Sequence, residues 1–214
     1  MLTADWMALG RELGTLEDAG VELLHFDVMD GQFCPTLTLG APVVKALRTR
    51  LLKDVHLMVD EPLSKLEGFV AAGADIVTVH AESSGHVHRV LQVLGGMQNA
   101  NDPSRGIVRG LALNPGTPLE AIEPLADELE MVLLLAVNPG WGGQKFIHST
   151  YGRLERLRRM TAGRMLIGVD GGITRENIAE VARAGADIIV TGSAVFDGKA
   201  PLENARHMIE AIRK

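Results

Sequence analysis

With a single cysteine, Cys34, this 214-residue chain has no means of forming an intrachain disulfide, and a reducing, cytoplasmic setting is the expectation. No run approaches the roughly 18 apolar residues of a membrane span, and no basic segment followed by an apolar stretch marks a secretory leader. Membrane association and export are therefore not expected. Lys and Arg number 21 against 27 Asp and Glu, a formal charge of −6, which argues against an electrostatic nucleic-acid binder. It leaves room for a local grip on a phosphorylated metabolite. No G-x-x-x-x-G-K-[ST] is present, so a nucleoside triphosphate is not indicated. Low-complexity sequence is nearly absent and 46% of residues are hydrophobic, as in a packed globular core. The length suits one domain over residues 1–214.

Short apolar runs alternate with segments of helical period. Strands are expected at 22–28, 54–58, 76–80, 110–113, 132–137, 166–169 and 188–190, with a further first strand at 1–4. Helices are expected at 6–19, 43–50, 65–72, 86–94, 118–126, 152–160, 175–184 and 202–213. Two helices are followed by the same tetrapeptide, Ala72-Gly73-Ala74-Asp75 and Ala184-Gly185-Ala186-Asp187, with glycine where a C-cap is wanted. Strand–helix alternation along the whole chain predicts parallel strands with helices outside, an α/β fold of the (β/α)8 TIM-barrel type. A doubly wound open sheet ranks second, because no G-x-G-x-x-G opens an early helix. The segment 95–109, rich in Gly, Asn, Asp and Pro, is read as a loop on the face opposite the active site.

Polar residues recur at strand ends, where barrels place their chemistry. His25 and Asp27 are two apart in Leu24-His25-Phe26-Asp27-Val28 and so share one strand face, opposite Leu24 and Phe26. His56 closes a second strand and Asp170 a third. Taken singly, each reads as a hydrogen-bonded core histidine or a capping aspartate. Together, two imidazoles and two carboxylates suit one divalent metal such as Zn²⁺, Fe²⁺, Mn²⁺ or Co²⁺. His80 ends another strand and reads as a residue behind the metal or against the substrate, and equally well as a structural one.

Asp27 and Asp170, reaching a small substrate from opposite sides, suit removal of a proton from one face and its return to the other. That sequence inverts a stereocentre beside a carbonyl, with a metal stabilising the enolate. Three glycine-rich turns follow the last strands: Asn138-Pro139-Gly140-Trp141-Gly142-Gly143-Gln144, Asp170-Gly171-Gly172 and Thr191-Gly192-Ser193. Their backbone N–H groups suit a phosphate. Met29 and Met58 lie two residues beyond proposed ligands, on the same faces, and suit a dry pocket wall. Cys34 has no neighbouring base and is read as non-catalytic.

These motifs resemble the ribulose-phosphate 3-epimerase family along nearly the whole chain. The resemblance rests on residues 25–31 with Phe33 and Pro35, and on 54–59, GLALNPGTP, VNPGWGGQKF, VDGGI and VTGSAVF. It implies a (β/α)8 barrel interconverting D-ribulose 5-phosphate and D-xylulose 5-phosphate with a divalent metal. By that resemblance His25, Asp27, His56 and Asp170 are metal ligands, and Asp27 and Asp170 the acid/base pair. Gly140, Trp141, Gly142, Gly143, Gly171, Gly172, Gly192 and Ser193 receive the phosphate and sugar, with His56, Met29 and Met58 against the substrate. A homo-oligomer, dimer or hexamer, is implied in the same way.

Three departures bear on this reading. The family's Pro-Ser-Ile-Leu strand, with its substrate-contacting serine, has no counterpart before Thr3, so the first strand is expected to be short or absent. Leu135 replaces a third pocket methionine, and Thr36 replaces a customary asparagine. The 95–109 region is longer than usual. Alternatives are an epimerase of another ketose phosphate, such as allulose 6-phosphate, a non-catalytic sugar-phosphate-binding barrel, and an indole- or thiamin-pathway phosphate-binding barrel.

Overall fold

The computed structural model describes residues 1–213. Seven strands form one sheet in chain order: β1 (Leu23–Met29), β2 (Leu52–Met58), β3 (Ile76–His80), β4 (Val108–Leu113), β5 (Met131–Leu135), β6 (Leu166–Asp170) and β7 (Ile188–Val190). Every neighbouring pair is parallel. Helices α1 (Leu9–Ala19), α2 (Ala41–Ala46), α3 (Leu66–Ala71), α4 (Val87–Gly95), α5 (Thr150–Thr161), α6 (Ile178–Arg183) and α7 (Pro201–Ile212) cover the outside. The result is a nearly closed TIM-type barrel rather than the doubly wound sheet. Among the described residues β7 and β1 do not pair with each other.

The expected strand at 1–4 is not formed. The Ala4 N–H bonds to the Met1 carbonyl at 3.2 Å, closing a turn, and the Trp6 indole donates to the Leu2 carbonyl at 3.2 Å. The Met1 ammonium donates to the His25 carbonyl of β1 at 2.7 Å, but the turn keeps that contact from extending into a ladder. The expected helix at 118–126 is also different: residues 119–128 wind as a 3-10 helix with Pro124 inside. Proline has no N–H for the α-helical bond and crowds the preceding turn.

Strand alternation sorts the residues into two shells. Leu24, Phe26, Val55, Leu57, Val77, Val79, Leu111, Val132, Leu134, Ile167 and Val169 pack outward against the helices in the main core. Ile76, Ala112, Met131, Leu133 and Leu135 form a second, inner cluster. The same inner face carries His25, Asp27, Asp54, His56, Thr78, His80 and Asp170, two residues apart along their strands. The odd–even pattern therefore aims every one of these polar groups into the barrel.

The repeated tetrapeptide has one structural job at two places. Gly73 and Gly185 take φ of +91° and +106°, turning the chain out of α3 and α6. The aspartate that follows grips the preceding strand. Asp75 accepts the Lys53 N–H at 2.9 Å, and Asp187 accepts the Ile167 N–H at 2.8 Å. The 95–109 loop folds beneath the barrel, where Asn99 donates to Asp75 at 2.8 Å and the Gln98–Gly106 bridge closes it. Asp75 thus anchors the longer loop to the bottom of the barrel, away from the site.

Candidate metal and substrate site

At the C-terminal mouth, β1 supplies His25 and Asp27, β2 supplies His56, and β6 supplies Asp170. One ligand atom from each of the four lies within 4.8 Å of the other three. His25 Nε2 stands 3.3 Å from Asp27 Oδ1 and 3.9 Å from Asp170 Oδ2. His56 Nδ1 stands 3.5 Å from Asp27 and 3.7 Å from Asp170. Four tetrahedral ligands at 2.0–2.1 Å from an ion stand about 3.4 Å apart, so the spacing suits a small divalent cation. The two ring nitrogens facing the quartet, His25 Nε2 and His56 Nδ1, are buried without a hydrogen-bond partner. A buried polar atom without a partner is costly, and a metal ion would satisfy both.

The opposite ring nitrogens are held. His25 Nδ1 is 2.7 Å from Asp54 Oδ2, and Asp54 is fully buried. His56 Nε2 is 2.8 Å from His80 Nε2, and His80 Nδ1 is 3.1 Å from Glu82 Oε2. Such outer partners fix ring orientation and raise ligand basicity. Asp54 and Glu82 were not singled out in the sequence. Asp54 carried a usable signal, a carboxylate two residues before His56 and so on the same face of β2. Glu82 lies past the end of β3 and gave none.

The electrostatics record a crowded site. Burial and the Asp27 carboxylate push Asp170 up to about 7. Burial also opposes charge on Asp27, but His25 and His56 outweigh it and hold its carboxyl well below the usual range. For His25, burial disfavours the cation, while Asp54 and Asp27 hold the pKa well above the ordinary value. Burial lowers His56 and takes His80 down to about 4. Without a metal, the two carboxyl groups of the quartet are thus shifted in opposite directions.

A cavity of about 640 Å³ runs from the quartet along the open seam between β7 and β1, where Leu16, Val21, Ala186 and Met208 also line it. It brings together all the expected pocket residues except His56, which lies buried behind them. Met29 and Met58 form a small buried cluster with Cys34, and Leu135 lines the same cavity. The 138–144 turn is tied to itself: Gln144 Nε2 donates to the carbonyls of Asn138 at 2.6 Å and Trp141 at 3.0 Å. Thr36 Oγ1 donates to the Gly140 carbonyl, tying the loop after β1 to this turn. Trp141 itself is half exposed at the rim. Gly172 sits at φ +67°, and a Cβ there would lie 2.5 Å from the Phe146 backbone nitrogen, a position open only to glycine.

Fold and site together define a class: a TIM-barrel protein whose mouth carries a His₂Asp₂ quartet fit for a divalent metal. Residues 1–196 match the family model described as the ribulose-phosphate 3 epimerase family. The chain belongs to that family. It is 44% identical over 202 residues to the ribulose-phosphate 3-epimerase of Bacillus subtilis, covering 92% of this chain and 89% of that one. It is 45% identical over 206 residues to the chloroplastic ribulose-5-phosphate-3-epimerase of Arabidopsis thaliana, covering 93% and 70%. Among solved structures, 3-hexulose-6-phosphate synthase from Salmonella typhimurium superposes with a TM-score of 0.70 at 18% identity, over 97% of this chain and 92% of that one. KGPDC from Streptococcus mutans gives 0.69 at 13% identity, over 94% and 91%. Those structural likenesses speak to the barrel alone.

Proposed function

We propose that this protein is a metal-dependent ketose-phosphate 3-epimerase interconverting D-ribulose 5-phosphate and D-xylulose 5-phosphate. The observation that carries the reading is the pair Asp27 and Asp170, brought from β1 and β6 into one metal-competent quartet with His25 and His56. Family membership favours the same reaction over mere sugar-phosphate binding, and binding alone needs no such pair.

His25, Asp27, His56 and Asp170 would hold the metal. When bound, it supplies Lewis-acid stabilisation of negative charge on the substrate oxygens. The ionised carboxylate of one aspartate takes the C3 proton from one face of the ketose. The resulting carbanion delocalises onto the adjacent C2 carbonyl. The other aspartate, protonated, returns a proton to the opposite face, and the C3 configuration inverts. The reverse reaction exchanges their roles. Asp27 and Asp170 are the two carboxyl groups of the quartet placed to take and return this proton. Met29, Met58 and Leu135 wall the reacting carbons with groups that have no proton to donate.

The turns at Gly140–Gly143, Gly171–Gly172 and Gly192–Ser193 receive the phosphate, supported by their place on one cavity rim beyond β5, β6 and β7. Zn²⁺ or Fe²⁺ is the proposed ion, from two imidazole and two carboxylate donors. One domain, a cytoplasmic setting and a homo-oligomeric state complete the proposal. The first is supported by the continuous sheet, the second by the lone buried thiol of Cys34, the third by the family likeness.

The test is a coupled epimerase assay on D-ribulose 5-phosphate before chelation, after chelation and after metal add-back. Turnover that chelation removes and metal restores supports the proposal. Absence of turnover in folded, metal-loaded protein contradicts it, and turnover on allulose 6-phosphate instead would move the substrate to the hexulose series.

A further inference from the structure

Behind the quartet runs a chain of hydrogen bonds with a definite direction. Glu82 Oε1 accepts the Asn114 backbone N–H at 3.0 Å and the Thr117 hydroxyl, while Oε2 faces His80 Nδ1 at 3.1 Å. His80 is fully buried, as is His56, and their Nε2 atoms are 2.8 Å apart. A carboxylate accepts and does not donate, so the proton between Glu82 and His80 belongs to His80 Nδ1. A neutral imidazole has one N–H, which leaves His80 Nε2 as an acceptor. His56 must then carry its proton on Nε2 and turn a bare Nδ1 toward Asp27 and Asp170. That atom is one of the two buried orphans facing the quartet.

The two histidines of the quartet are thus presented through different nitrogens. Asp54 reaches His25 Nδ1 directly and leaves Nε2 inward. On β2 the geometry is reversed, and the carboxylate acts from a distance through a second imidazole. We propose that Glu82, acting through His80, is a positioning residue that fixes the His56 tautomer so that Nδ1 is the metal-binding atom. The proposal rests on the metal reading of the quartet but concerns protons that can be located with no metal and no substrate present.

The informative variant is Glu82→Gln, which keeps the shape. The Asn114 N–H, a backbone donor with no freedom to reverse, claims the amide oxygen. The amide NH₂ then faces His80 Nδ1, which must accept. His80 donates from Nε2, His56 accepts on Nε2, and the His56 proton moves to Nδ1, where the metal should be. A residue that merely tied the β3 and β4 loops together would lose little on this isosteric change and would move no proton. Thr117→Val removes a hydroxyl donor to Glu82 without reversing the chain, and serves as the control.

Two measurements decide. ¹⁵N NMR of metal-free protein labelled at histidine should show His56 protonated on Nε2 and His80 on Nδ1, with both assignments inverted in Glu82→Gln. Zn²⁺ competition against a chelator should show binding weakened about 10- to 100-fold in Glu82→Gln, the range for loss of an outer partner, and unchanged within about twofold in Thr117→Val. A wild-type spectrum with the His56 proton on Nδ1 overturns the proposal without any variant. So does a folded Glu82→Gln protein with wild-type tautomers and wild-type Zn²⁺ affinity. If wild type binds no Zn²⁺, the metal reading falls, and the tautomer spectrum still decides whether the relay exists.

Discussion

Removing the metal should leave a site at odds with itself, and Asp170→Asn should relieve it. In the metal-free protein burial and the Asp27 carboxylate raise Asp170 to about 7 from an ordinary 3.8. Between those values the folded state holds a proton that the unfolded chain has released. Stability therefore falls as pH rises through this window and levels off above about 7. The slope for one proton is about 1.4 kcal/mol per pH unit, so metal-free wild type should lose about 3 kcal/mol between pH 5 and pH 8 from this group. Asparagine keeps the shape and has no proton to lose. Urea denaturation of metal-free wild type and Asp170→Asn at pH 5, 6.5 and 8 should show the variant gaining on wild type by about that amount as pH rises. Adding Zn²⁺ at pH 8 should reverse the order, because only wild type has all four ligands. A constant difference between the two proteins across the pH range would refute the reasoning, since Asp170 would then ionise equally in both states.

Three other outcomes follow from the same geometry. Asp27→Asn and Asp170→Asn should each lower kcat at least about 10²-fold, the lower end for a positioned acid or base, with the circular dichroism spectrum retained; near-normal turnover would remove the carboxylate from the mechanism. Zn²⁺ binding at pH 7 should release about one to two protons, from His25 and in part from Asp170, read by calorimetry in buffers of different ionisation enthalpy. Gly172→Ala should destabilise the fold by at least about 1–3 kcal/mol in chemical denaturation, through its positive φ alone, with the clash against Phe146 adding to it.

Much of this molecule was readable from residue order. Alternation placed β3 and β7 at their observed bounds and put His25 and Asp27 together, opposite Leu24 and Phe26. Parallel strands in chain order then carried His56 and Asp170 to the same mouth, because strand ends in a barrel share one rim. What stayed hidden depends on contacts between distant side chains. Spacing puts Asp54 on the same face of β2 as His56, but only the β1–β2 register opposite His25 makes it the partner of that ring. Glu82 lies in the β3–α4 loop, and its role emerges only when the β4 loop delivers the Asn114 N–H. The 3-10 winding around Pro124 and the turn at 1–4 are local choices in which apolar pattern alone favours neither outcome.

The central claim is proton transfer at C3 between Asp27 and Asp170. It is tested most directly by following D-ribulose 5-phosphate with metal-loaded enzyme in deuterium oxide by proton NMR. The account predicts D-xylulose 5-phosphate that carries solvent deuterium at C3, and neither exchange nor conversion above about one hundredth of the wild-type rate with Asp27→Asn. Epimer formed with its original C3 hydrogen retained would contradict the two-aspartate mechanism.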